Sequence, residues 1–323
     1  MNTRSQFIPL LEPIRPQMER VERLLLETLA QVEEPLSSML RGALGGKRLR
    51  PALVILVGRM FGSPAAPFHS LAAAVEMLHT ATLIHDDLVD EGDLRRGRET
   101  LHTIWPAGAT VLAGDYLLAR AISLVAALDH PHVLGVFAET LCAMCAGEIR
   151  QMCITRGKHT GREGYYRGVE AKTASLFAAS TEMAGILAGA EEPQIAALRR
   201  FGRDLGVAFQ IIDDVLDFIG AEAQLGKPAG SDLRQGLITL PTLCYLEEVE
   251  DDAAVDAVLS GRRDAEHVQA AMEAVCASGA IEAALAEARA HATRSREALA
   301  TLPDGDSRQM LGSLAGYVVA RNR

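Results

Sequence analysis

Apolar residues recur at steps of three and four along almost the whole chain, and that periodicity commits it to helices. Met18, Val21, Leu25, Leu29 and Val32 form one such stripe, in a stretch flanked by Pro16 and Pro35. No sustained period-two alternation rich in β-branched or aromatic residues occurs, so a sheet is not expected. Breakers separate the helical stretches: Gly45-Gly46, Gly62-Ser63-Pro64, Gly92, Pro106-Ala107-Gly108, His130-Pro131, Gly161, Glu192-Pro193, Gly226 to Gly230, and Pro303-Asp304-Gly305. No linker-like shift of composition interrupts them. Residues 1–323 therefore read as one large all-α domain of roughly a dozen helices.

The chain is long enough for a sizeable core, with 49% hydrophobic residues in 323. A formal net charge of −10 argues against non-specific nucleic-acid binding, which needs phosphate neutralisation. Five cysteines, an odd count in a large chain, read as reduced thiols of a cytoplasmic protein. The N-terminal segment mixes arginines, glutamates and prolines and has no apolar h-region. No apolar run is expected to reach a membrane span of about 18–20 residues. Leu71 to Ile84 comes nearest and carries Glu76 and His79. Neither nucleic acid nor stable membrane insertion is expected.

Two Asp-Asp-x-x-Asp clusters occur inside apolar helical sequence, Asp86-Asp87-Leu88-Val89-Asp90 and Asp213-Asp214-Val215-Leu216-Asp217. Helical spacing stacks Asp86 over Asp90, and Asp213 over Asp217, about one turn (~5.4 Å) apart. Stacked like charges on an apolar helix cost stability unless cations sit between them. Hard oxygen donors in this arrangement suit Mg²⁺, which completes its shell with waters and substrate phosphates. One such cluster reads equally well as a solvated helix face; two in apolar settings point to a metal–diphosphate site.

Local positive groups accompany the clusters. Lys47 and Arg50 follow the glycine turn Gly45-Gly46, where backbone approaches closely. Arg95 and Arg96 follow the first cluster, Lys172-Thr173 lies in apolar helical sequence, and Lys227 sits in a Gly/Pro loop. His79 is seven residues before Asp86, on almost the same helix face.

These residues resemble the trans-type polyprenyl diphosphate synthase family. The ordered motifs are GGKRLRP, HTATLIHDDLVDEGDLRRG, Gly114-Asp115-Tyr116, Gly147-Glu148-Ile149 with Gln151, Lys172-Thr173, FQIIDDVLD and GKPAGSDLRQGLITLP, spanning about Gly45 to Pro241. The resemblance implies an isoprenoid-synthase helical bundle around a central cavity, a homodimer, and about three Mg²⁺ ions per site. It implies Asp86, Asp90 and Asp213 as metal ligands, with Asp87, Asp214 and Asp217 holding waters or outer hydrogen bonds. Lys47, Arg50, His79 and Arg96 would grip isopentenyl diphosphate. Arg95, Lys172 and Lys227 would grip the allylic diphosphate, with Thr173 and Gln210 beside the reacting carbons. The implied reaction ionises the allylic diphosphate, joins the cation to isopentenyl diphosphate, and loses a proton to the released diphosphate. Many members carry a lysine after the glycine of the GxDLxxG stretch, where this chain has Leu237 after Gly236.

Ala81 and Thr82, five and four residues before Asp86, lie ~6–7.5 Å deeper along the helix and are small. An open tunnel past Leu78, Val75 and Ala74 is expected, with an all-trans product of about C30 to C45. The C-terminal GYVVARNR also resembles longer-chain members, its arginines placed to cap the isopentenyl site. A short-chain geranylgeranyl or farnesyl diphosphate synthase, a terpene cyclase and a non-catalytic synthase subunit remain as alternatives. The second diphosphate site argues against the cyclase, and two complete acidic clusters argue against the subunit. Glu76 reads as a structural hydrogen-bonding group, Cys142 and Cys145 as core, Trp105 as packing, and the acidic run 247–252 as solvated surface.

Overall fold

The apolar stretches become helices that end close to the breakers in the computed structural model, which describes residues 9–30, 32–90, 92–95, 97–154, 161–220, 229–249 and 251–321. The first half comprises α1 (Arg15–Ala30), α2 (Leu36–Ala43), α3 (Leu49–Met60), α4 (Ala65–Val89), α5 (Leu101–Ile104), α6 (Ala107–Ala126) and α7 (Pro131–Ile154). Then come α8 (Gly161–Val169), a π-helical turn (Glu170–Ala174), α9 (Ser175–Leu187) and the long α10 (Glu192–Ile219). The remainder is α11 (Ser231–Gln235), α12 (Leu240–Glu248), α13 (Ala253–Leu259), α14 (Ala265–Ala277), α15 (Ala280–Ala298) and α16 (Asp306–Ala320). The fold is all-α, and the extended structure among the described residues is one hairpin of two-residue strands, β1 (Leu94–Arg95) and β2 (Arg98–Glu99).

α3 and α4 form the centre. Every residue from Leu49 to Gly58 is buried, which is why α3 is apolar on all sides. α4 packs most extensively on α6, and α10 on α9 and α15. The larger core gathers α1, α3, α4, α6 and α9; a second joins the C-terminal half of α10 to α12–α15. α10 opens on a capping box, in which Glu191 N–H donates to Gln194 Oε1 at 3.0 Å.

Three expectations need correction. α6 and α7 are each long and apolar enough by composition to cross a membrane, yet only 33% and 28% of those windows are buried. Their polar residues are too widely spaced for a run-length reading to show this. Cys142 and Cys145 are exposed, because the apolar surface of α7 extends onto a face that none of the described residues covers. The acidic run is also more than solvated surface. Asp252 caps α13 by accepting the N–H groups of Ala254 and Val255 at 2.9 Å, and Glu247 accepts from Arg162. Trp105 packs against the larger core, as expected.

Candidate active site

The first acidic cluster closes α4. Asp86 and Asp87 lie in its last turn and Asp90 caps it, its N–H bonded to Asp86 O at 2.8 Å. The β1–β2 hairpin then returns the chain, so that Arg95 Nε donates to Asp87 Oδ1 at 2.5 Å. Thr100 Oγ1 ties the hairpin to the helix end by donating to Gly92 O at 2.8 Å. Burial pushes the Asp86 carboxyl up to about 6; Lys172 opposes the rise, and Glu148 and Asp90 add to it. Burial also raises Asp90.

Lys172 and Thr173 stand on the π turn, whose wider path separates α8 from α9. Lys172 Nζ lies 2.6 Å from Glu148 and 3.9 Å from Asp86. Burial works against its charge, but Asp86 and Glu148 outweigh it and raise its pKa. Thr173 Oγ1 donates to Gln210 Oε1 at 2.7 Å, and Gln210 Nε2 donates to Asp214 Oδ1 at 2.8 Å. Gly206 permits this approach: a Cβ there would lie 2.6 Å from Ala174 Cα. Neighbouring residues of one turn thus link the two acidic clusters, Lys172 to the first and Thr173 to the second.

The three aspartates of the second cluster have separate partners. Asp213 Oδ1 accepts from Arg321 Nη2 at 2.9 Å. Asp214 is buried and accepts from Tyr165 as well as Gln210, the Tyr165 Oη lying 2.6 Å from Oδ2. Burial and nearby Asp232 raise its pKa against the pull of those two donors. Asp217 accepts from Ser231 Oγ at 2.9 Å and Asp232 N at 3.1 Å, so it anchors the loop that enters α11. The observed partner of Asp213 is thus a cation.

At the cationic end, Lys47 Nζ donates to Tyr317 Oη of α16 at 3.0 Å, and the Arg50 guanidinium lies 4.3 Å from the Phe177 ring centre. Phe177 meets Phe209 at 5.2 Å, and Arg321 lies 4.0 Å from the Phe209 ring. The C-terminal helix therefore reaches the Lys47 group, but Arg321 itself is placed on Asp213. His79 is half-buried on α4, its carbonyl accepting from Thr82 Oγ1 at 2.8 Å. Ala81 is buried. Arg96 and Lys227 lie outside the described residues.

Sequence reasoning missed several supporting groups. Arg48, inside GGKRLRP, has φ of 53° and donates to Glu76 Oε1 at 2.6 Å, to Gly45 O at 2.8 Å and to Glu22. This half-buried anchor sets the turn between Lys47 and Arg50, and gives Glu76 the structural bond expected of it. Glu148 stands in sequence only as part of a motif and Tyr165 carries no signal; each meets its partner across a helix interface.

The donor set fits a divalent metal that brings its own remaining ligands. Among the described residues no three acidic, histidine or cysteine side chains converge on one point. Asp86, Asp90 and Asp213 would supply hard oxygens to such a metal and leave the rest of its shell to phosphate and water.

Residues 31–275 match the polyprenyl synthetase family model. The chain belongs to the polyprenyl synthetase family. It is 36% identical to heptaprenyl diphosphate synthase component 2 of Geobacillus stearothermophilus over all of both chains. It is 37% identical to nonaprenyl diphosphate synthase of Mycobacterium tuberculosis, over 96% of this chain and 93% of that one. Among solved structures, a polyprenyl synthase from Caulobacter crescentus, complexed with calcium and isoprenyl diphosphate, superposes with a TM-score of 0.92, at 36% identity over 98% of each chain. The protein is a chain-elongating prenyltransferase.

Proposed function

We propose that this prenyltransferase uses Mg²⁺ to join isopentenyl diphosphate repeatedly to an allylic diphosphate, giving an all-trans product of about C30 to C45. The observation that carries the reading is the Lys172–Thr173 turn. It presents a cation beside Asp86 and a hydroxyl in line with Gln210 and Asp214. Bound metal would neutralise the charge that builds on the departing diphosphate. Lys172 and Arg95 hold that diphosphate, and Lys47, Arg50 and His79 hold the second one. Carbocation charge develops beside Thr173 and Gln210, whose oxygen dipoles oppose it. The apolar flanks of α4 and α10 keep water away. The released diphosphate takes the proton.

The product range rests on relatives named for hepta-, octa- and nonaprenyl products and on the small side chain of Ala81; Ala81, Leu78, Val75 and Ala74 have almost no exposed surface, so the open tunnel expected past them is not seen and a growing chain would have to part the helices there. A homodimer is supported by the uncovered faces of α6 and α7, where Val111, Leu112, Ile122, Ile149 and Met152 are exposed. The relative named component 2 favours a second arrangement, in which an unlike chain covers that face.

The test is incubation of the purified chain with Mg²⁺, labelled isopentenyl diphosphate and farnesyl diphosphate, then sizing of the dephosphorylated products. A ladder ending between about C30 and C45 supports the proposal. A stop at C20 refutes the product range and keeps the class. Activity only after addition of a second polypeptide establishes the two-component form.

A further inference from the structure

We propose that Tyr165 is a positioning residue for the ionisation step: it anchors the Asp214 carboxyl group, which in turn aims the Gln210 carboxamide at Thr173 and the reacting carbons. The inference rests on the reading of Thr173 and Gln210 as neighbours of the developing carbocation.

Tyr165 lies on α8 with its ring edge against Tyr166, the centroids 5.3 Å apart. α8 is held in place by Arg162, which donates to Glu247 of α12 and Glu287 of α15. From this fixed helix the Tyr165 hydroxyl donates to Asp214 Oδ2 at 2.6 Å. Asp214 is 3% exposed, so its oxygens depend on protein donors. With Oδ2 taken by Tyr165, Oδ1 is left for Gln210 Nε2 at 2.8 Å.

Both Asp214 oxygens accept, so the amide turns an N–H to it and its oxygen away. That oxygen, Gln210 Oε1, accepts the single hydroxyl proton of Thr173 at 2.7 Å. Both lone pairs of Thr173 Oγ1 then remain as acceptor sites. The relay therefore gives two oxygens the same polarity at one place, oriented before any charge develops. Without the Tyr165 hydroxyl, Asp214 still accepts from Gln210 but can rotate about Cβ–Cγ, and the aim of the Gln210 amide and of Thr173 Oγ1 is no longer fixed.

The experiment compares the full-length chain with Tyr165→Phe, Gln210→Leu and the double variant. Each is assayed with Mg²⁺, isopentenyl diphosphate and farnesyl diphosphate, with melting temperatures measured alongside. Tyr165→Phe keeps the ring and is expected to lower kcat about tenfold, less than loss of a direct transition-state contact. Both KM values and the Mg²⁺ concentration for half-maximal rate should stay within about twofold. In the Gln210→Leu background, Tyr165→Phe should cost nothing further.

An unchanged kcat overturns the proposal, as does a loss that adds to that of Gln210→Leu. A shifted Mg²⁺ dependence also overturns it, because Tyr165 would then serve the acidic cluster. If Gln210→Leu itself leaves kcat unchanged, the underlying reading of Gln210 fails. Asp214→Asn, nearly isosteric, puts the same question through the same cycle should Tyr165→Phe not fold.

Discussion

Arg321 Nη2 lies 2.9 Å from Asp213 Oδ1, and its guanidinium sits 4.0 Å from the centre of the Phe209 ring. A carboxylate engaged by a guanidinium cannot offer the same lone pairs to a divalent cation, so arginine and metal compete for Asp213. Asp213 is 40% exposed, which limits the pair to about 1 kcal/mol. Arg321→Ala is therefore expected to tighten Mg²⁺ binding to the substrate-free protein by about fivefold. Titration calorimetry without substrate measures this directly. An unchanged affinity would remove Asp213 from the metal ligands.

The raised Asp86 carboxyl, at about 6 against an ordinary 3.8, makes metal binding pH-dependent. The folded protein holds this proton more tightly than the unfolded chain. Fold stability from this group is thus fully present below about pH 4 and lost as pH rises through about 6. At higher pH the bare carboxylate costs up to the order of 3 kcal/mol, which a bound cation offsets. Below about pH 6 proton and metal compete, and apparent Mg²⁺ affinity should fall towards tenfold per pH unit. Calorimetry in buffers of different ionisation enthalpy should show proton release on binding at pH 5.5 and none at pH 8. Equal proton release at both would assign the titration to another group.

The helices were legible because burial imprints a period of 3.6 on sequence, and the aspartate pairs because that period stacks residues four apart. Such a pattern tells which face a residue occupies and not what meets it. Glu148 and Lys172 are on different helical segments, as are Tyr165 and Asp214, so no spacing within a helix could pair them. Arg48 stands between Lys47 and Arg50 in sequence, and only its contact with Glu76 on α4 shows it to be a structural anchor. α6 and α7 misled for the opposite reason. Their apolar surface continues onto a side that no described element covers, so apolarity there does not signal core, and Cys142 and Cys145 are exposed.

The Arg48–Glu76 bond should matter for stability more than for chemistry. Glu76 is 3% exposed, and its removal leaves a half-buried guanidinium with Glu22 as its remaining carboxylate. Breaking a buried pair from one side costs about 3–5 kcal/mol, and the surviving partner places Glu76→Ala near the lower end. Urea unfolding should show that loss, while KM for the allylic diphosphate stays within about twofold at a temperature where the variant is folded. A stable variant with raised KM for isopentenyl diphosphate would instead give Glu76 a direct part in that site.

The proposed product range can be tested at Ala81. It is 2% exposed, and Leu78, Val75 and Ala74, successively deeper on the same helix, have no exposed surface. A phenyl ring at position 81 would occupy the space one helical turn below the acidic cluster, about the length of one isoprene unit. Overpacking should cost about 1–3 kcal/mol, so the variant is expected to fold. Ala81→Phe should then truncate the product ladder by several units at little cost in the rate of the first condensation. Thr82→Phe should truncate it less, because the Thr82 hydroxyl is bonded to the His79 carbonyl along the helix rather than across the core. Product sizing after a short and a long incubation separates early termination from slow elongation. If Ala81→Phe elongates to the wild-type length, the chain runs past a different helix, and the small residue at 81 serves only the close packing of α4 on α6.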